Sequence, residues 1–252
     1  MPLVDILAIA AVAFTLAGFV KGVVGFGFPI ITLIILTLTI GLLDALAIVV
    51  LPTIVVNIWQ ASSGPYLADI VRRMWLYFLV AMIFIWFTSA YLSAVNIKWP
   101  TAMLGAIILV FALSRLLKVS FSVPRKWEQP LSVPLVAING MLTGMTGMTG
   151  SFMVPSVLFM QAMGFQRDML VQAMGIFFAI STIVLAVSLG RNDLISMEHV
   201  QVSVSALVPS ILGLAIGRRV RLKIDEERFQ QLFLVSVLLL GGYISYRSVV
   251  VL

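Results

Sequence analysis

Runs of about twenty apolar residues, separated by short stretches that hold most of the charges, occupy almost the whole 252-residue chain. A helix of about 20 apolar residues can cross the ~30 Å hydrocarbon core of a bilayer. Soluble domains are roughly 25% charged, whereas this chain is 10% charged and 62% hydrophobic. Its helices therefore lack the polar outer faces that water requires. The pattern predicts an all-α polytopic membrane protein and excludes a soluble enzyme, a disordered chain and a secreted disulfide scaffold.

The chain contains no cysteine and a single histidine, His199. Disulfides, thiolate catalysis and Cys- or His-rich metal sites are excluded, so we predict no metal and no cofactor. The net charge of +6 is expected to reflect basic cytoplasmic loops rather than nucleic-acid binding. The first apolar segment lacks a basic flank and a clear cleavage site, so we interpret it as a retained helix.

Polar residues, glycines and prolines divide the apolar runs into about ten predicted membrane segments. Segments 2 and 7 are only about a dozen residues long, which is roughly 18 Å of helix and too short to span. The predicted segments are Val4–Gly25, Phe28–Ile40, Asp44–Gln60, Met74–Val95, Pro100–Leu117, Leu131–Gly147, Phe152–Met163, Asp168–Leu189, His199–Gly217 and Phe229–Tyr246.

The distribution of basic residues orients these segments. With the N-terminus outside, the loops after segments 3, 5, 7 and 9 are cytoplasmic and hold twelve of the 16 Lys and Arg residues, against three on the other side. Cytoplasmic loops are enriched in Lys and Arg. We therefore predict a multi-pass protein of the plasma (inner) membrane with both termini outside.

Two glycine-rich motifs show an internal repeat. Gly18, Gly22 and Gly25 recur 122 residues later as Gly140, Gly144 and Gly147, and a proline follows each set. Because five segments separate the copies, the second copy would enter the membrane from the opposite face, as in secondary transporters. We predict a first repeat over 1–117, a cytoplasmic linker over 118–130 and an inverted second repeat over 131–252.

The short segments 2 and 7 are expected to be half-helices that begin near the bilayer midplane. A helix start exposes free N–H groups and a partial positive charge, which attract anions. Glycine allows close approach of a substrate to the backbone, and the second motif adds hydroxyl donors. The alternative, compatible with a site, is that both GxxxG stretches are helix-packing faces. The predicted substrate-binding residues are Lys21, Gly22, Gly25, Phe26, Gly27, Asn57, Gln60, Thr143, Gly144, Thr146, Gly147, Thr149, Gly150, Ser151 and Gln172.

Several of these residues have a second interpretation. Lys21 is either the counter-charge for an anion or a side chain that snorkels to the membrane surface. The amides of Asn57, Gln60 and Gln172 either contact substrate or join helices. Asp44 and Asp168 precede matched helices and are interpreted as N-caps.

The motifs at Gly18–Pro29, Leu51–Gln60 and Gly140–Pro155, together with the stretch Gly164–Gly190, resemble the TauE/SafE family, also called the sulfite exporter or toluene sulfonate uptake permease family. The resemblance covers most of the chain. It implies a plasma-membrane permease for small sulfur-containing anions such as sulfite, sulfonates or sulfoacetate, coupled to an ion gradient. The second motif departs from the family in being rich in Thr and Met, with Met148 and Ser151 where relatives are more glycine-rich.

Three function classes follow from these patterns. The first is a secondary transporter of a small sulfur oxyanion that alternates access around the paired glycine motifs. An anion channel and an intramembrane enzyme or lipid-handling protein are the alternatives, although we find no charge ring and no paired carboxylates for them. The expected partners are the lipid bilayer, a small anion, a coupling proton or cation and a second copy of the chain, and nucleic acid is not among them.

Overall fold

A computed structural model describes residues 3–40, 42–91, 122–146, 154–190, 197–225 and positions scattered over 227–246. All elements in this part of the chain are helical, which confirms the all-α prediction for it. The predicted fifth segment lies outside the described residues, and the described positions between 227 and 246 are helical. The α-helices are α1 (Leu3–Val24), α2 (Phe28–Ile40), α3 (Leu42–Ser62), α4 (Leu67–Thr88), α5 (Arg125–Thr146), α6 (Val154–Ala162), α7 (Arg167–Gly190) and α8 (Met197–Lys223), with a 3-10 turn at Ser89–Tyr91.

The two short helices are present. α2 has 13 residues and α6 has 9, or roughly 20 Å and 13 Å of helix. The break before α2 depends on glycine, because Gly25 and Gly27 have φ angles of 97° and 94°, a region that residues with a Cβ rarely occupy. Pro29 then lies in the first turn of α2, where the absence of an N–H costs nothing.

The end of α4, at Thr88 rather than Val95, and three other helix boundaries differ from those predicted. α4 begins at Leu67 rather than Met74, α5 at Arg125 rather than Leu131, and α8 continues from Gly217 to Lys223. Residues 125–130 of the predicted linker are thus the first turns of α5. The predicted segments stop close to charged residues. A helix nevertheless continues past its apolar stretch when the charged side chains have partners or interact favourably with the helix dipole. Arg221 and Lys223, for example, occupy the last turn of α8.

The chain folds into two compact units, Met1–Leu67 with Val171–Asp225, and Ala68–Leu170 with Glu226–Leu252. Each unit draws helices from both halves of the sequence. The division into two inverted repeats is a division by sequence symmetry and stays a prediction.

In the first unit, α1 packs against α8 through glycines of both helices. A Cβ on Gly22 would lie 2.5 Å from the Leu214 carbonyl oxygen and 2.8 Å from the Arg218 backbone nitrogen. Gly213 and Gly217 of α8 approach the backbone of α1 in the same way. The two backbones are therefore in direct contact along this face, which is the geometry that small residues permit in membranes.

In the second unit, α5 uses its glycines in the same manner against α4. A Cβ on Gly140 would lie 3.2 Å from the Ala81 carbonyl oxygen, and one on Gly144 would lie 2.7 Å from that of Ile85. The helix that carries the GxxxG stretch in each half of the sequence thus packs on the fourth described helix of the other half.

The exposed faces of the long helices are apolar. Four described helices are long and apolar enough to cross a membrane, over Leu7–Val24, Leu67–Thr88, Arg167–Ser188 and His199–Lys223. α8 shows the pattern most clearly, with exposed apolar residues every fourth position at Val200, Val204, Val208, Leu212, Ile216 and Val220. Such a stripe suits contact with acyl chains rather than water.

The packing of α1 on α8 predicts the effect of a larger side chain at Gly22. Gly22→Leu would force the two backbones apart, since the obstructing atoms belong to the main chain, at a cost of about 3 kcal/mol. Gly242→Leu adds the same volume where no atom lies within 4 Å and should leave stability unchanged. Thermal unfolding in detergent, followed by tryptophan fluorescence, measures both, and equal midpoints for the two variants would contradict this packing.

Candidate functional site

Lys21 lies in the last turn of α1 and is buried in the first unit. Its side chain is 1% exposed, and its Nζ lies 4.8 Å from the centroid of the Phe178 ring. Among the described residues, no carboxylate forms an ion pair with it. Snorkelling would place the ammonium group at the surface, so that interpretation of Lys21 does not fit its burial.

The energies of its contacts indicate that burying Lys21 does not stabilise the fold. Removing a charged group from water costs several kcal/mol even after the protein relaxes. A desolvated cation–π contact returns about 2 kcal/mol, and a cation in the last turn of a helix returns about 1 kcal/mol or less. The contacts present do not offset the cost, so Lys21 retains an unmet preference for an anion.

The break between α1 and α2 directly follows Lys21 and consists of Gly25, Phe26 and Gly27. The Gly25 N–H donates to the Lys21 carbonyl oxygen at 2.7 Å, and the Ile31 N–H donates to the Gly27 carbonyl oxygen at 3.0 Å, where α2 begins. Phe26 is buried. A Cβ on Gly27 would meet nothing closer than 3.8 Å, so the positive φ, rather than lack of space, requires glycine there.

Gln60 ties this break to α7. Its Nε2 donates to the Gly25 carbonyl oxygen at 2.9 Å and to the Val171 carbonyl oxygen at 2.7 Å. The residue is 4% exposed, and its Oε1 has no hydrogen-bond partner among the residues that the structure describes. Buried polar atoms are normally paired, so Gln60 Oε1 is available to accept a hydrogen bond beside the break.

Gln172 is fully engaged with the backbone that follows α3. Its Nε2 donates to the carbonyl oxygens of Ala61 and Gly64, both at 2.8 Å, and its Oε1 accepts the Tyr66 N–H at 3.0 Å. These bonds support the interpretation of Gln172 as a structural amide, and its substrate contact stays a prediction.

Two arginines of α8 donate hydrogen bonds to backbone carbonyl oxygens at the ends of α1 and α3. Arg221 Nη1 donates to the Gly22 carbonyl oxygen at 3.2 Å, and Arg218 Nη2 donates to the Ser63 carbonyl oxygen at 2.9 Å. Cations that bond the last carbonyls of a helix are a common C-terminal arrangement. Gly22 itself faces α8, so packing already explains why it is glycine, and its substrate role stays a prediction.

Asn57 joins α3 to α7 one turn from Gln60. Its Nδ2 donates to Thr182 Oγ1 at 3.3 Å, and both side chains are buried. The adjacent Ser181 Oγ is also buried and has no hydrogen-bond partner. The first unit therefore contains a polar interior in which two atoms, Gln60 Oε1 and Ser181 Oγ, can still accept a hydrogen bond.

The predicted residues of the second motif belong to the second unit or lie outside the described residues. Thr143 Oγ1 donates to Asn139 Oδ1 at 3.2 Å, and Asn139 Nδ2 donates to Ser156 Oγ at 2.7 Å, which links α5 to α6. Gly144 packs on α4. The side chain of Thr146 and the whole of Gly147, Thr149, Gly150 and Ser151 lie outside the part of the chain that the structure describes.

The matched aspartates lie inside the first turns of α3 and α7 rather than at their N-caps. Asp44 Oδ1 lies 3.2 Å from His199 Nε2, and Asp168 Oδ2 lies 3.3 Å from Arg167 Nη2. Acidic residues in a first turn are favoured by the helix dipole. Both aspartates are thus accounted for by helix stabilisation.

Sequence reasoning missed several residues that take part in these contacts or lie next to them. They are Phe178, Ser181 and Thr182 in the first unit, and Asn139 and Ser156 in the second. Phe178 is one of many aromatic residues in apolar runs, and no pattern in the sequence separates it from a packing residue. The small hydroxyl residues carry no signal either, because Ser and Thr also bond within their own helix.

Comparison with known proteins identifies a family. The family model described as sulfite exporter TauE/SafE matches residues 9–244 of the chain. No curated protein and no solved structure gives a significant match.

The bonds of Gln172 generate a prediction about stability. Gln172→Met keeps the shape of the side chain but leaves two carbonyls and one N–H without their partner, which should cost about 3 kcal/mol. Gln166→Met makes the same change at an exposed position and should cost almost nothing. Chemical unfolding in detergent distinguishes the two, and similar stabilities would show that the Gln172 bonds are replaced by water.

Proposed function

The chain belongs to the sulfite exporter TauE/SafE family of membrane transporters, and on that basis we propose that it carries a small sulfur oxyanion across the plasma membrane. Sulfite, a sulfonate or sulfoacetate is the expected substrate class. The anion binds beside the break between α1 and α2, and an ion gradient drives its movement.

The observation that carries this proposal is the burial of Lys21 with no carboxylate partner among the described residues. A structural lysine in a membrane protein is expected to pair with an acidic residue or to reach the surface. A transported anion supplies the missing charge when it binds. Binding then removes the unfavourable burial of Lys21, and this gain is available only to an anionic ligand.

The neighbouring groups favour an oxyanion that also carries a hydrogen. The start of α2 offers the positive end of a helix dipole to anionic oxygens. Gln60 Oε1 lacks a donor and would accept an O–H or N–H from the ligand. Hydrogen sulfite has both features, as does a sulfonate with an amino group such as taurine.

We propose that the second glycine motif contributes the other part of the site, through Thr143, Gly144, Thr146, Gly147, Thr149, Gly150 and Ser151. The crossed packing of the GxxxG helices, α1 on α8 and α5 on α4, supports the inverted repeat, because equivalent helices make equivalent contacts in the two units. Alternating access would then move one repeat relative to the other.

A channel and an intramembrane enzyme are the competing functions. A channel would give flux that does not saturate at the concentrations where a carrier does. An enzyme would require a nucleophile and a base within hydrogen-bond reach of each other. The described residues of the first unit offer instead a buried cation, the unpaired acceptors Gln60 Oε1 and Ser181 Oγ and the positive end of α2, which are suited to binding rather than bond cleavage.

Flux through proteoliposomes tests the role of Lys21. Uptake of labelled sulfite, sulfate, thiosulfate, sulfoacetate, taurine and acetate is measured with and without a pH gradient. Lys21→Met should lower the kcat/KM for the transported anion about 100-fold, since a buried charge pair is lost. The variant should melt at the same temperature as the parent or higher, since an uncompensated buried charge is removed.

The matched control is Lys223→Met, which makes the same change at an exposed position at the end of α8 and should transport normally. Full saturable flux in Lys21→Met would contradict the proposed site. Product formation from any anion would point to an enzyme, and flux that rises linearly with concentration would point to a channel.

A further inference from the structure

A cationic groove of about 940 Å³ lies at one end of the second unit, outside the site described above. The beginnings of α4 and α5 form it. The charged residues that line it are Asp69, Arg72, Arg73, Arg125, Lys126 and Glu128. Four are cationic and two are acidic, so the groove has a net positive charge.

The acidic residues Asp69 and Glu128 compensate half of this positive charge, which leaves a net charge of two. Arg73 forms a two-point ion pair with the buried Glu128, in which Arg73 Nε donates to Glu128 Oε2 at 2.8 Å. Arg73 also donates to the Met163 carbonyl oxygen at 2.9 Å, so it is committed to the fold. No carboxylate among the described residues forms an ion pair with the exposed Arg72, Arg125 or Lys126.

The position of Arg125 and Lys126 in the helix makes their positive charges less favourable. They are the first two residues of α5, and cations are disfavoured at the positive end of a helix dipole. The acidic residue that would offset them, Glu128, already pairs with Arg73. Three cations and a helix N-terminus thus converge on one open groove, which favours an anion with several oxygens.

The surroundings of the groove indicate what carries that anion. Val71 and Trp127, the immediate neighbours of Arg72 and Lys126, are exposed apolar residues. Exposed apolar side chains continue from them along both helices, at Trp75, Leu79 and Ile83 of α4 and at Leu131, Ile138 and Met141 of α5. Exposed Trp next to basic residues is typical of the interface between headgroups and acyl chains.

We infer that this groove binds the phosphate of an anionic phospholipid, with the acyl chains along the exposed faces of α4 and α5. The ammonium and guanidinium groups of Arg72, Arg125 and Lys126 contact the phosphate, and the aliphatic stems and Trp127 contact the glycerol region. Basic pockets at the ends of membrane helices recognise lipid headgroups by this chemistry. The inference concerns the lipid alone and does not depend on which anion is transported.

Native mass spectrometry of the purified, delipidated protein tests the inference. The protein is titrated with phosphatidylglycerol, with phosphatidylcholine of the same acyl chains, and with inorganic phosphate as the soluble source of the same group. Phosphatidylglycerol should bind preferentially. R72Q/K126Q should weaken it about 30-fold, as expected for two basic side chains at an anionic surface.

The matched control is R219Q/K223Q, which removes one exposed arginine and one exposed lysine from α8 and should leave phosphatidylglycerol binding unchanged. R72K/K126R keeps both charges and should retain binding, which separates loss of charge from loss of folding. The inference is overturned if phosphatidylcholine binds equally, if both double Gln variants lose binding alike, or if millimolar inorganic phosphate displaces phosphatidylglycerol.

Discussion

A polypeptide that stops being helical inside a bilayer must find hydrogen-bond partners within the protein, because hydrocarbon offers none. The first unit meets this constraint with four long side chains. Gln60 and Gln172 bond the backbone of the break after α1 and of the turn after α3, and Arg218 and Arg221 bond the ends of the same two helices. These side chains supply the hydrogen bonds that a non-helical backbone requires at that position.

The first glycine motif combines helix packing with a buried cation. Glycines on both helices bring the backbones of α1 and α8 into direct contact, and the adjacent Lys21 packs over Phe178 of α7. Packing therefore accounts for Gly22, whereas no contact of this kind accounts for Lys21. Gly25 and Gly27 then end α1 and allow α2 to begin, because both have a positive φ.

The parts of the fold that were predictable are those that depend on local chemistry. The short α2, the glycine break and the burial of amides in apolar segments all follow from residue type and spacing. The boundaries of α4, α5 and α8 did not, because partners from elsewhere in the fold, such as Glu128 for Arg73 and the Gly22 carbonyl oxygen for Arg221, accommodate charged residues on these helices. Lys21 remained ambiguous for the same reason, since the sequence does not show which side of α1 meets α7.

The sequence by itself determined that this chain is a membrane protein, that its first helix breaks at a glycine motif and that it resembles a family of transporters. These properties follow from hydropathy, backbone conformational freedom and motif order, which act over a few residues at a time. The tertiary structure decided which glycines pack, which amides support the backbone and that Lys21 is buried with no carboxylate partner in the described part of the chain. Those outcomes depend on contacts between residues up to 199 positions apart, such as Arg221 with Gly22, and burial gives each contact its energy.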